Sequence, residues 1–85
     1  MYDDYSWVVR GKQRRKVIKV LKKPKIPTQV KEETKLSLNN VSDTLRAFRK
    51  KRIVKCLNPK AKTGRLYKLT PKGMRIREQL EDYGK

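Results

Sequence analysis

The chain contains no histidine, one cysteine, four glycines, one tryptophan and one phenylalanine in 85 residues. Without histidine, neither a Cys/His zinc site nor a Ser-His-Asp triad can be assembled. A lone cysteine, Cys56, excludes an internal disulfide and suits a reducing cytoplasm. No apolar run approaches the roughly 20 residues that cross a bilayer, so no membrane-spanning segment is expected. The opening MYDDYSW is acidic and polar and does not read as a secretory leader. No phosphate-cradling glycine loop and no nucleophile–base pair is visible. An enzyme, a catalytic residue, a metal site and a cofactor are therefore not expected.

Acids are also scarce: 8 Asp and Glu stand against 25 Lys and Arg, for a net charge of +17. Tyr5 to Lys31 carries no acid, and neither does Thr44 to Arg77. Self-repulsion of this size destabilises a compact state, and a polyanionic partner offsets it. Nucleic acid is the first reading and an anionic membrane surface the second. The length allows one domain, 1–85, with a modest core and a loosely ordered N-terminus over 1–6.

The most informative stretch is SLNNVSDTLRAFRKKR, Ser37 to Arg52. Leu38, Val41, Leu45 and Phe48 recur at steps of three and four, which predicts one apolar side of a helix. Ser37 is placed to cap it. The other side carries Asn39, Asn40, Asp43, Arg46 and Lys50. Amides and guanidinium groups on a helix face are what a base edge in a major groove requires.

Around this stretch the chain reads in order. Trp7-Val8-Val9 is a short apolar run, read as extended and interrupted by Gly11. Lys12 to Lys22 predicts a helix with Val17, Ile18 and Leu21 inward, closed by Pro24. Ile26 is a minimal strand, and Pro27 opens a short helix to Thr34 with Val30 inward. Lys35 to Ser37 is a turn over a buried Leu36. Ile53 to Leu57 and Arg65 to Leu69 predict a hairpin whose tip, Asn58 to Gly64, is basic. Thr70-Pro71 starts a last helix, with Ile76, Leu80 and Tyr83 on one face, Met74 beside it, and Gly84 as its C-terminal cap.

The predicted class is α+β, mostly α, in the order of a winged helix-turn-helix: helix, short strand, helix, turn, recognition helix, two-stranded wing, C-terminal helix. From Trp7 to Leu80 the sequence resembles prokaryotic, especially archaeal, MarR/ArsR-like transcriptional regulators. Three segments carry the resemblance: IPTQVKEETKLSLNNVSDTLRAFRKKRIV, CLNPKAKTGRLYKLT and TPKG. They are similar to the helix-turn-helix, the wing hairpin and the Thr-x-x-Gly opening of the following helix. Two positions depart from the pattern: Lys31 replaces a small residue, and Lys35 stands where the turn often has glycine. The long dimerisation arms and ligand pocket of MarR proteins exceed this length, so no small-molecule ligand is implied.

The resemblance implies double-stranded DNA as the partner, with the recognition helix, 38–51, in the major groove. It places Asn39, Asn40, Asp43 and Arg46 as base readers. Arg bridges guanine O6 and N7, Asn bridges adenine N6 and N7, and Asp accepts from cytosine N4. The competing reading is a solvated face on which Asp43 pairs with Arg46. Ser37 caps, contacts a phosphate, or does both. Thr28 and Gln29 sit at a helix start, where amides favour phosphate. In the basic wing, 58–65, Lys60, Lys62, Thr63 and Arg65 suit the backbone or minor groove. Cys56 reads as a packed small residue. Trp7 and the tyrosines read as core, lid or dimer contacts. A homodimer through the N-terminal segment or the last helix stays open against a monomer. The expected location is the cytoplasm, on the nucleoid. Two alternatives use the same charge: an RNA-binding or ribosome-associated winged helix, and a non-specific architectural chromatin protein.

Overall fold

Asp3 caps the first helix of the chain. Its Oδ1 accepts from the Ser6 amide at 2.8 Å, and α1 spans Asp4–Arg10. The computed structural model describes residues 3–83, the last of these in its backbone only. Tyr2, the Tyr83 side chain and the Gly84 cap lie outside the described residues.

Helix α1 corrects two expectations. The segment 4–6, expected to be loosely ordered, is its first turn, and Trp7-Val8-Val9 is helical rather than extended. The Asp3 cap satisfies an orphan amide, and burial of Val8 repays the weak helix propensity of valine. The Trp7 ring meets Phe48 edge-on, with centroids 5.8 Å apart.

Helix α2, Lys12–Val20, buries Val17 and Ile18 and ends on Leu21, before the predicted stop at Pro24. The predicted minimal strand is offset by one residue. Lys25, not Ile26, makes an isolated bridge, exchanging backbone bonds with Tyr67 at 3.0 and 2.9 Å. Ile26 instead precedes α3, Pro27–Thr34. Thr34 is buried, its Oγ1 donating to the Val30 carbonyl at 2.7 Å and accepting from the Leu36 amide at 3.3 Å. That hydroxyl fixes the turn, in which Lys35 is left-handed at φ 63°.

Helix α4, Leu38–Lys50, packs on both α2 and α3. Strands β1, Val54–Cys56, and β2, Tyr67–Leu69, pair antiparallel, Val54 opposite Leu69 and Cys56 opposite Tyr67. The strands are shorter than expected because ladder bonding gives way to side-chain bonding beyond Leu57–Leu66. Cys56 is half-buried. Helix α5, Pro71–Tyr83, starts on Thr70, whose Oγ1 accepts from the Gly73 amide at 3.1 Å. Ile76 and Leu80 are buried as expected, whereas Met74 is 50% exposed.

The chain is therefore α+β and mostly helical: among the described residues, five helices and one two-stranded antiparallel sheet. One core joins all of these elements, from Val8 and Ile18 through Val30, Leu45 and Phe48 to Val54, Leu69 and Leu80. Among the described residues, no helix is long and apolar enough to cross a membrane.

Candidate nucleic-acid interface

The buried stripe of α4 fixes what its remaining surface can do. Val41, Thr44, Leu45 and Phe48 are buried. At about 100° per residue, the opposite direction is shared by Asn39, Asp43, Arg46 and Lys50. All four are exposed. Leu38 was expected in the apolar stripe and is 46% exposed, because it lies on the edge of the helix. Its place in the core is taken by Thr44, whose Oγ1 donates to the Asn40 carbonyl at 2.8 Å. Asn40 lies toward the other edge and is half-buried. Ser37 accepts from the Asn40 amide at 3.1 Å and so caps the helix.

The base of the loop between β1 and β2 is held by the Asn58 side chain. Asn58 Oδ1 accepts from the Leu66 amide at 2.6 Å, and Asn58 Nδ2 donates to the Gly64 carbonyl at 3.2 Å. Within the loop, Arg65 Nε donates to the Ala61 carbonyl at 2.9 Å. The tip is thus tied across its base and again inside its bend. Lys60, Lys62, Thr63 and Arg65 are all exposed on it.

These two surfaces share one cleft. The start of α3, one edge of α4 and the hairpin tip enclose an open volume of about 490 Å³. Its walls bring together Thr28, Arg46, Lys62, Thr63 and Arg65 from the sequence-predicted set. Arg49 also lines it, and sequence reasoning passed it over. Its signal was the three-residue step from Arg46, which puts both guanidinium groups along one helix edge. The bridge between Lys25 and Tyr67 anchors the arrangement, because Tyr67 forms part of the cleft wall while its backbone joins the link before α3 to β2.

The remaining candidates stand elsewhere. Asn39 and Lys50 are on the outward face, and Asp43 lines a second cleft beside α1 and α2. Lys60 is on the hairpin tip outside the cleft wall. Gln29 has a local role: its Oε1 accepts from the Ile26 amide at 3.0 Å, capping α3. Asn58, which the sequence marks only as the first residue of the loop, organises the tip.

Charge is distributed unevenly. Asp43 and Arg46 pair at 3.6 Å with 74% and 72% of their side chains exposed. A pair so exposed contributes little to stability and separates readily for another partner. Asp4, by contrast, binds Lys72 and stands 3.6 Å from Lys51. The hydrogen bond from Lys72, together with the two ammonium charges, holds its carboxyl below the ordinary 3.8. The Ser6 amide likewise lowers Asp3. Both of these acids belong to the α1 end. Among the described residues, no group of three His, Cys, Asp or Glu side chains is placed to hold a metal ion.

Compared with known proteins, the chain matches no family model, no curated protein and no solved structure.

Proposed function

We propose that this chain is a winged helix-turn-helix protein that binds double-stranded DNA in a sequence-dependent way, acting as a small transcriptional regulator. In this reading α3 and α4 form the helix-turn-helix, and the β1–β2 hairpin is the wing. The observation that carries the proposal is the common cleft, where Arg46 and Arg49 of α4 face Lys62 and Arg65 of the hairpin. A helix in a major groove leaves the flanking phosphates beside its edges, and a cationic finger on that side meets them.

The mechanism is binding without chemistry. Lys62, Arg65 and Arg49 displace counterions from phosphates, and Thr28 adds a hydroxyl at the start of α3. Asn39, Asp43 and Arg46 present amide, carboxylate and guanidinium groups to base edges. The exposed Asp43–Arg46 pair opens as each member takes its base contact. The net charge of +17 supplies long-range attraction to a polyanion and supports a nucleoid-associated role in the cytoplasm. Half-sites related by two-fold symmetry would call for a homodimer.

Selection of bound sequences from a random duplex library, followed by a salt series on the winner, tests this. A reproducible consensus is expected. With about six phosphates neutralised, the log–log salt slope is about −5. Preference for structured RNA over the selected duplex, or recovery of no consensus, would overturn it.

A further inference from the structure

The outward face of α4 is bordered on both sides. One edge faces the hairpin cleft. The other edge, through Asp43, Thr44 and Ala47, faces a second open cleft of about 500 Å³ whose far wall is the α1–α2 junction. A major groove is about 12 Å wide and a helix with side chains about 10–12 Å across, so a seated helix has a phosphate wall along each edge. The hairpin meets one of these two walls.

The far wall of the second cleft is cationic and preorganised. Arg14 lies with its guanidinium carbon 4.1 Å from the centroid of the Trp7 ring, and its Nη1 donates to the Trp7 carbonyl at 2.8 Å. Lys51 sits over the same ring at 4.8 Å. Gly11 makes room for this posture: a Cβ there would stand 2.5 Å from Arg14 Cδ and 2.9 Å from Nε. The carbonyl contact engages one of five guanidinium N–H donors. Lys12 and Gln13, both exposed, continue the wall along the first turn of α2.

We propose that Arg14, held between the Trp7 ring and Gly11, forms with Lys12 and Gln13 a second phosphate seat for the nucleic-acid backbone on the opposite edge of α4 from the hairpin. This rests on the duplex-binding reading above and adds to it a site on α2. Arg14 supplies planar donors fixed before binding, so little side-chain freedom is lost on contact. Lys12 supplies a point charge and Gln13 an amide donor. Asp43, on the α4 wall of the same cleft, faces the groove floor, where a carboxylate accepts from a base amino group.

The test is a salt series on a labelled mixed-sequence duplex, with helical content checked by circular dichroism. The variants are Lys12→Ala, Arg14→Ala, Gly11→Ala and Lys62→Ala, with Lys23→Ala on a distant surface as the charge control. Lys12→Ala and Arg14→Ala are each expected to reduce the magnitude of the salt slope by about one, as Lys62→Ala does, whereas Lys23→Ala leaves it unchanged. Gly11→Ala removes no charge and clashes only with a flexible side chain, so it folds, yet it is expected to weaken binding as Arg14→Ala does. If Arg14→Ala loses helical content, Gly11→Ala and Lys12→Ala decide. Wild-type affinity and slope in the α2 variants, alongside a weakened Lys62→Ala, would overturn the second seat and leave the duplex reading standing. No duplex binding by the wild-type chain would overturn both.

Discussion

Gly73 packs its backbone against the carbonyl of Ile53, so closely that a Cβ on Gly73 would stand 2.1 Å from that oxygen. The same carbonyl accepts from the Thr70 amide at 3.0 Å, and Thr70 Oγ1 donates to the neighbouring Arg52 carbonyl at 2.6 Å. The start of α5 is thus locked to the corner between α4 and β1. Gly73→Ala gains up to ~1 kcal/mol of helix propensity. It also forces a backbone shift at a packed corner, for which overpacking costs of ~1–3 kcal/mol are a lower guide. Net destabilisation is expected, read as a lower midpoint in urea unfolding.

That corner also shows how far the sequence could be read. Thr-Pro-Lys-Gly was legible as a helix start, because capping and proline preference are local. The need for glycine at the fourth position was not, since it depends on a carbonyl twenty residues earlier. Helices α2 to α5 and the hairpin were legible from periodicity and punctuation. Helix α1 was not, because Trp7-Val8-Val9 has the local composition of a strand and is decided by the Asp3 cap and by packing on Phe48. In the candidate interface, the outward face of α4 followed from its period. The exposure of Leu38 and the burial of Thr44 did not, because the packed side of α4 is rotated from the apolar stripe toward Thr44, where a threonine hydroxyl can bond within the helix. Asn58 was hidden for the same reason as Gly73: its partners Gly64 and Leu66 lie across a loop.

Lys35 occupies the left-handed region at φ 63° in the turn between α3 and α4. A residue with a Cβ there costs roughly 1–2 kcal/mol, whereas glycine adopts the conformation freely but is more disordered when unfolded. Lys35→Gly is expected to raise stability by about 0.5–1 kcal/mol, measured by thermal unfolding. A lower midpoint would mean that the Lys35 side chain contributes more than its backbone costs.

Asp4 joins α1 to Lys72 of α5 and to Lys51 just after α4. Its carboxyl is held below the ordinary 3.8, chiefly by the hydrogen bond from Lys72. A depressed carboxyl contributes stability that is present above its unfolded value and is lost as pH falls through the folded one. Asp4→Asn is therefore expected to lower the unfolding midpoint at neutral pH. The gap from wild type should close as pH drops below 3.8. A gap independent of pH would show that the charge is not what links these helices.

Arg46 and Lys62 face each other across the hairpin cleft but are assigned different work. Arg46→Ala is expected to blur sequence preference, since a bidentate base contact discriminates by ~1–3 kcal/mol. Lys62→Ala is expected to weaken binding to every duplex alike and to flatten the salt dependence by about one unit of slope. Competition binding with selected and scrambled duplexes separates the two. Equal effects on both duplexes from both variants would contradict that division.

The central claim is that the outward face of α4 and the hairpin tip meet one duplex together. Nitrogen-labelled protein titrated with the selected duplex and followed by NMR tests it most directly. The account predicts that the largest shifts fall at Asn39, Asp43 and Arg46 together with Lys62 and Arg65, saturating at one common stoichiometry. Shifts confined to the surface around Met74 of α5, or a hairpin tip left unperturbed while α4 responds, would contradict it.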